Sequence, residues 1–337
     1  MSGEAFRIES ADDWRPEVPE DFQVDEIPLY RPSGEGHHTF VRVEKRLRTS
    51  EEVARALACA VGVAPRDVGY AGRKDRFALT RQWYSVPGLD PERAIGLSWP
   101  GVRVIEAARH RHKLRTGQLR GNRFEITVRG VADEAAARAA DALERLQRVG
   151  MPNRFGPQRF GRDGRNADRG RAWLRGEGGR TDRRTARLLV SALQAAVFNA
   201  VLAARPAPLD RVETGDVAVV HASGGLFRVE AAERESTRAR AFEISATGPI
   251  FGTRRLAPSG APAERERAAL AAHGIDPEAP PTVRGMRLRG GRRSLRARPE
   301  HAALERSRDA LRIVFTLPPG SYASVLVAEL FSARSLA

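Results

Sequence analysis

An aspartate between two basic residues is the feature of this sequence best suited to chemistry. Asp75 lies between Lys74 and Arg76, shortly after Gly72 and the end of a short predicted strand. Neighbouring positive charge favours the ionised carboxylate, so we expect a lowered pKa. An ionised carboxylate on a loop walled by aromatic residues suits nucleophilic or general-base catalysis on an anionic substrate. On spacing alone, an ordinary exposed turn explains the same residues.

Asn122 and Phe124 form a second candidate site, at the start of a strongly alternating segment. Asparagine is a poor strand former, and its amide carries the donors and the acceptor needed to read the edge of a base. Phe124 points to the same face and can stack on a base. The alternative is a turn asparagine followed by a core phenylalanine.

Two glycine-spaced units over residues 153–161 combine basic or amide side chains with phenylalanines, and Arg159 belongs to the second. Cations bind phosphate, amides reach sugars and rings stack on bases, so this segment is a candidate RNA contact. A glycine-rich connector is the alternative.

Two shorter segments complete the set of candidates. Ser321 is the predicted N-cap of a C-terminal helix, next to Tyr322, and a helix N-terminus can accept an anion. His37 and His38 follow a Gly-Glu-Gly turn and are candidate bases or ligands, although a structural role is favoured because no cysteine or carboxylate motif accompanies them.

The charge of the chain is concentrated in its middle. The 337 residues carry a net charge of +15, with 54 arginines and three lysines. Residues 151–299 contain 28 arginines against 15 acids, which accounts for +13 of that total. Such a surface binds nucleic acid through release of counterions. A solvated arginine-rich surface is the alternative.

Several protein classes are disfavoured. The single cysteine, Cys59, excludes a disulfide within the chain and Cys/His zinc sites. Neither GxGxxG after a strand nor GxxxxGK[ST] occurs. The polar first 15 residues do not resemble a signal peptide, and no apolar run approaches the roughly 20 residues of a membrane helix. We expect a soluble, cytoplasmic protein with no membrane and no obligate protein partner.

The pattern of elements predicts an α+β protein with a discontinuous first domain. Residues 22–27, 39–43 and 122–128 alternate as strands, a capping box from Thr49 to Glu52 opens a helix, and residues 133–149 form an amphipathic helix. The predicted buried strand and helix after residue 300 resemble the first domain in their pattern of apolar and polar residues. We therefore expect one domain over 1–150 and 300–337 with a mostly antiparallel mixed sheet, and a basic inserted domain over 151–299.

These segments, taken in order, resemble the TruD family of tRNA pseudouridine synthases, over residues 20 to 330. The segments that carry the resemblance are Glu20–Glu26 (EDFQVDE), Gly34–His38 (GEGHH), Ala71–Arg76 (AGRKDR), Thr80–Gln82 (TRQ), Gly121–Phe124 (GNRF), Pro152–Gly161 (PNRFGPQRFG), Phe198-Asn199, Gly215-Asp216 and Leu317–Ser324 (LPPGSYAS).

The resemblance implies a circularly permuted pseudouridine synthase domain with an inserted α/β TruD domain that binds RNA. It implies isomerisation of uridine to pseudouridine at position 13 of tRNA by base flipping, without metal or organic cofactor. Asp75 matches the catalytic aspartate. Residues at positions that match contacts to the target nucleotide are Phe22, Asn122, Phe124 and Tyr322, and further candidate substrate-binding residues are Lys74, Arg76, Gln82, His38 and Arg159.

The sequence departs from the family at three places. His37 stands where the family usually has glutamate, and Ser324 replaces the usual threonine but keeps its hydroxyl. The family often has a lysine six residues before the position of Phe22, where this chain has Pro16. A basic residue from elsewhere in the chain is therefore a candidate charge partner of Asp75.

Two other classes of protein remain as alternatives. A non-catalytic tRNA- or rRNA-binding protein, such as a tRNA chaperone, would also use the basic block. An RNA methyltransferase would need a cofactor loop, and none is visible. Asp75 favours the enzyme, because a pure RNA binder has no use for a negative charge in its cleft.

Overall fold

The computed structural model describes residues 16–177, 179, 181–253, 256–278, 288, 290–308 and 310–332. The segment considered above as a signal peptide, residues 1–15, lies outside the described residues. The chain divides into two compact units. The first contains the described residues up to Leu143, Pro299–Ala323 and the described residues from Leu330 onward, and the second contains Glu144–Arg298 and Ser324–Glu329.

The strands of the described residues are, in chain order, β1 (Phe22–Pro28), β2 (His38–Arg46), β3 (Gly69–Tyr70), β4 (Leu79–Pro87), β5 (Ser98–Trp99), β6 (Val102–His110), β7 (Leu119–Arg129), β8 (Met151–Pro152), β9 (Val217–Val220), β10 (Leu226–Arg228), β11 (Ile244–Ile250), β12 (Gly291–Ser294), β13 (Arg296–Ala297), β14 (Glu300–Arg306) and β15 (Ala310–Leu317).

The α-helices of the same residues are α1 (Ser50–Val61), α2 (Pro91–Ile95), α3 (Asp133–Val149), α4 (Asn166–Leu174), α5 (Arg183–Ala203), α6 (Ala232–Arg240), α7 (Gly260–Ala272) and α8 (Ala323–Phe331).

A nine-stranded mixed sheet organises the first unit, in the order β14-β15-β7-β1-β4-β2-β6-β5, with β3 paired to β4. Only β1 and β4 pair in parallel, and the other neighbours are antiparallel, as the sequence predicts. The C-terminal strand β15 lies beside β7, with Phe315 opposite Phe124. The chain after residue 300 thus completes the sheet that the first domain begins.

Helix α1 packs on one face of this sheet. The predicted capping box is present, because the hydroxyl of Thr49 accepts from the Glu52 amide and the Glu52 carboxylate accepts from the Thr49 amide. Val53 and Leu57 of the helix belong to one buried cluster with Tyr84 of β4. The two reciprocal hydrogen bonds of the capping box therefore fix the first turn of the helix, and the helix packs on the sheet from that turn onward.

The second unit is built around α5 and the antiparallel sheet β10-β9-β11-β12, with β8 and β13 forming a separate pair. By length and composition alone, α5 is long enough and apolar enough to cross a membrane, contrary to the expectation from the sequence. Its Leu193, Val197 and Val201 pack in a buried cluster with Phe251 and Leu270. This is the burial of a core helix.

The predicted N-cap of the C-terminal helix is wrong by one residue. α8 begins at Ala323 with Tyr322 in the N-cap position and without a side-chain cap. The amide of Ser321 donates to the carbonyl oxygen of Pro318 at 3.3 Å, so Ser321 closes the turn before the helix.

Candidate active site

One face of the sheet in the first unit carries four of the predicted site residues and three further residues that surround them. Gln23 pairs with Leu79, Val24 with Phe124, and Glu26 with Asn122. Because side chains alternate across a strand, this register places the members of one set on the same face. They are Phe22, Glu26, Lys45, Gln82, Asn122, Phe124 and Phe315.

Three phenylalanine rings stack along this face. The ring centroids of Phe22 and Phe124 are 6.2 Å apart with an interplanar angle of 11°, and those of Phe124 and Phe315 are 5.2 Å apart at 23°. Such distances are direct aromatic contacts, which leave no room for a base between the rings. Phe124 is 6% exposed, whereas Phe22 is partly exposed. Phe22 is therefore the more exposed of these two rings.

Asn122 presents an unused acceptor. Its Oδ1 is buried and has no hydrogen-bond partner among the described residues. The preceding Gly121 allows a close approach of the strands, because a Cβ there would lie 2.6 Å from the carbonyl oxygen of Leu317. Tyr322 follows β15 by a short turn and is partly buried.

Asp75 lies on the loop between β3 and β4, which is fixed over the same face. The amide of Lys74 donates to Ser50 Oγ at 2.9 Å, and Gln82 Nε2 donates to the carbonyl oxygen of Gly72 at 3.0 Å. Ser50 Oγ donates in turn to Gln82 Oε1 at 2.6 Å. The first residue of α1 and a buried glutamine of β4 together hold the loop.

Gln82 does not serve as the substrate contact expected from the sequence. The residue is 0% exposed, and its Oε1 also accepts from the hydroxyl of Tyr84 at 3.1 Å. Both ends of its amide are therefore engaged inside the protein. Its observed role is to position the loop that carries Asp75.

Lys45 is the residue that the sequence reasoning missed. It is 1% exposed on β2, and its Nζ donates to the main-chain oxygen of Asp75 at 2.7 Å. Burial lowers the pKa of Lys45 to about 8, against the opposing effect of the negative charge of Asp75. Lys45 is thus the basic residue from elsewhere in the chain that faces Asp75.

The ammonium of Lys74 is also engaged. It forms an ion pair of 2.8 Å with Glu26 Oε2, and the side chains are 6% and 1% exposed. The amide of Trp83 donates to the other oxygen of Glu26 at 3.2 Å. The expectation that Lys74 contacts substrate is therefore corrected: its charge is committed to a buried pair, which fixes the loop to the strand beside Asn122.

The environment of Asp75 raises its pKa, contrary to the expectation that neighbouring cations lower it. Desolvation is the largest cause, and the positive charges of Lys45 and then Lys74 oppose it. The residue as a whole is exposed, while protein atoms crowd around its carboxyl group. Asp75 is thus an exposed residue whose carboxylate has increased basicity.

One predicted residue of the first unit, His38, lies away from this arrangement. His38 pairs with Pro87 at the far end of β4, whereas Lys45 pairs with Thr80, so the two are separated by roughly 23 Å along β2. His38 therefore lies far from Asp75 along the strand, and its expected contact with substrate stays a prediction.

Arg76 is exposed, and its Nε donates to the carbonyl oxygen of Leu47 at 3.3 Å. Arg159 belongs to the second unit, where its guanidinium lies 5.3 Å from the ring centroid of Phe155. Its Nε is buried without a partner among the described residues.

Comparison with known proteins identifies the family. The family model of tRNA pseudouridine synthase D (TruD) matches residues 16–180 and 178–330. The chain is 38% identical over 376 aligned residues to "tRNA pseudouridine synthase D" of Geobacter metallireducens, covering 93% of each chain. It is 45% identical over 324 residues to the protein of the same name from Anaeromyxobacter sp. (strain Fw109-5), covering 94% of this chain and 91% of that one. The chain belongs to the TruD family.

A solved TruD structure has the same fold. The crystal structure of the putative TruD from Methanosarcina mazei superposes with a TM-score of 0.72 at 21% identity, covering 99% of this chain and 96% of that one. The α+β architecture with a mostly antiparallel sheet is therefore the TruD fold, as the sequence predicts.

Proposed function

We propose that this protein isomerises uridine to pseudouridine at position 13 of tRNA, with Asp75 as its catalytic residue. One observation carries the proposal. A fixed loop holds the exposed residue Asp75 over the sheet face that also contains the unpartnered Oδ1 of Asn122 and the partly exposed ring of Phe22. A tRNA-binding protein without activity would need no such carboxylate.

The target base must leave the RNA stack, at a cost of a few kcal/mol. Phe22 offers a stacking surface backed by Phe124, which compensates part of that cost. The N3–H of uracil is a donor, and the Asn122 Oδ1 is an acceptor that the protein itself leaves unused. Asn122 thus distinguishes uracil from cytosine, which carries no hydrogen at N3.

Asp75 then breaks the glycosidic bond by one of two routes. Its carboxylate attacks the ribose C1′, or it removes a proton from C2′ to give a glycal, and in both cases uracil leaves with the electron pair of the N1–C1′ bond. The base rotates and C5 bonds to C1′. In the first route this breaks the bond between Asp75 and C1′, and in the second route Asp75 returns the proton to C2′. The C5 proton is then lost and N1 gains a proton. Nothing is oxidised or reduced, so the balance requires no cofactor.

The electrostatics of the loop fit both routes. A carboxylate whose pKa is raised is a stronger base and nucleophile than an ordinary aspartate. The positive charges of Lys45 and Lys74 act in the opposite direction and favour the ionised form. Burial and countercharge therefore set the basicity of this carboxylate together.

The basic middle block supplies the remaining RNA contacts in this proposal. We assign RNA binding to the inserted domain over 151–299, which contains 28 arginines and 15 acidic residues. Arg159 is one of its contacts in this proposal. With a tRNA substrate, we expect the protein to act in the cytoplasm.

The experiment is incubation of the protein with tRNA transcripts that contain 5-tritiated uridine, followed by mapping of pseudouridine. The proposal predicts release of tritium without added cofactor and one pseudouridine at position 13. Tight tRNA binding without tritium release would instead support the non-catalytic RNA-binding protein.

A further inference from the structure

A basic cavity of about 740 Å³ lies beside the loop that carries Asp75. This volume falls within the roughly 300–1,000 Å³ of ligand pockets. The residues that line it are Pro65, Arg66, Val68, Gly69, Tyr70, Gly72, Arg73, Lys113, Leu114, Arg115 and Thr116. None of these residues is acidic, so the cavity suits an anion.

The basic side chains of the cavity differ in how they are occupied. Arg73 forms an ion pair of 2.6 Å with Glu51. Lys113 Nζ donates to the main-chain oxygen of Arg66 at 2.5 Å, which braces the two walls. Within the described part of the chain, the guanidinium groups of Arg66 and Arg115 have no carboxylate partner. Exposed arginines in one cavity repel each other unless an anion lies between them.

The cavity is joined to the catalytic loop by close packing. The amide of Gly117 donates to the carbonyl oxygen of Ala71 at 2.8 Å, next to the lining residue Gly72. A Cβ on Gly69 would lie 2.1 Å from the oxygen of Leu114, so only glycine allows the two walls to approach. A ligand in the cavity therefore contacts the segment that leads directly to Asp75.

We propose that this cavity binds the sugar–phosphate backbone of an RNA segment that adjoins the target uridine, with Arg66 and Arg115 each contacting a phosphate. The guanidinium fork matches two phosphate oxygens and discriminates a phosphodiester from a neutral ligand. The identity of the RNA as tRNA rests on the proposed function, whereas phosphate binding does not.

The test is the double variant Arg66→Ala/Arg115→Ala, compared with Arg55→Ala/Arg138→Ala, which removes two exposed arginines of the same unit that do not line the cavity. The dissociation constant for tRNA is measured between 50 and 200 mM salt, with melting temperatures to confirm folding. We expect the cavity variant to bind about tenfold more weakly. The slope of log K against log salt should fall by roughly 1.4 to 1.8, as for two lost phosphate contacts.

Equal affinity and slope in the two double variants would overturn the proposal. A competition arm with millimolar 5′-UMP and inorganic phosphate separates the sources of the anion. Binding of 5′-UMP that only the cavity variant loses, with unchanged tRNA affinity, would also overturn it and assign the cavity to free nucleotides. If wild type releases no tritium while the cavity variant still loses affinity and slope, the isomerase proposal fails and the RNA site stands.

Discussion

The ammonium of Lys45 donates a 2.7 Å hydrogen bond to the main-chain oxygen of Asp75, from a strand position that is 1% exposed. The bond fixes the backbone of the loop that carries Asp75 and brings a positive charge beside the carboxylate. Lys45 therefore acts on Asp75 as a positioning residue. The side chain of Lys45 therefore affects both the position of the loop and the pKa of the Asp75 carboxyl group.

Lys45→Met should lower kcat more than it changes KM for tRNA. The side chain has a similar length but loses the charge-assisted hydrogen bond, which contributes about 1.5–3 kcal/mol. If that contribution is expressed in the transition state, kcat falls by roughly 10- to 100-fold. Steady-state kinetics with a tRNA transcript measure both constants, and an unchanged kcat would show that the bond does not position Asp75.

Arg48→Met is the matched control for this change. Its guanidinium also donates to a main-chain oxygen, that of Pro100 at 3.1 Å, but at an exposed site. We expect wild-type kcat for it.

The pH dependence should have two limbs. Activity rises with pH through the pKa of Asp75, which lies above the ordinary value of 3.8, because the carboxylate must be ionised. It falls again above about pH 8, where Lys45 loses its proton and Asp75 loses that countercharge. In Lys45→Met, the upper limb near pH 8 should disappear from the profile of kcat against pH; its persistence would assign that limb to another group.

The same lysine predicts the direction of a stability change. Its pKa is about 8 in the folded protein and 10.5 in the reference state, so the unfolded chain binds more protons within that window. The free energy of unfolding of wild type, relative to Lys45→Met, should therefore increase as pH rises from 8 toward 10.5. Denaturant titrations at several pH values measure it, and a decrease would contradict the assigned burial.

Glu26→Gln should destabilise the protein by about 3–5 kcal/mol, because it leaves the ammonium of Lys74 buried without its countercharge. Glu106→Gln is the control, since Glu106 is 52% exposed and lies 3.9 Å from Arg42. An exposed pair of this kind contributes less than about 1 kcal/mol. Equal losses in the two variants, measured by urea unfolding, would show that the buried pair does not fix the loop.

Asn122→Leu should leave the free energy of unfolding unchanged or higher while it abolishes most activity. The substitution removes a buried oxygen that has no partner within the described residues, and so removes a desolvation cost. Gln82→Leu is the contrast, because it breaks hydrogen bonds to Gly72 and Ser50 and should cost about 1–3 kcal/mol. A strongly destabilised Asn122→Leu would make Asn122 a structural residue.

Local patterns made much of the fold predictable. Thr49 and Glu52 are three residues apart, so the capping box is readable from the sequence, and the structure contains it. The helix Asp133–Val149 has the predicted limits, because its apolar period and Gly150 are local signals. The same holds for the alternation around Asn122 and Phe124 on β7.

The surroundings of Asp75 could not be predicted in the same way. Lys45 is 30 residues earlier in the chain and reaches Asp75 only through the register of β2 on β4. Burial then outweighs the sequence neighbours and reverses the expected pKa shift. One signal was present in the sequence. The chain has three lysines and 54 arginines, and two of the three lysines, Lys45 and Lys74, are the basic residues beside Asp75. An ammonium group is more compact than a guanidinium group and therefore fits this position better.

Asp75→Asn compared with Asp67→Asn is the most direct test of the catalytic account, because both lose one exposed carboxylate from neighbouring segments of the same unit. The measurement is the single-turnover rate of pseudouridine formation with saturating enzyme and a tRNA transcript, alongside the tRNA dissociation constant. The account predicts wild-type rate for Asp67→Asn, and for Asp75→Asn no detectable product with tRNA binding retained. Pseudouridine formation at the wild-type rate by Asp75→Asn would contradict it.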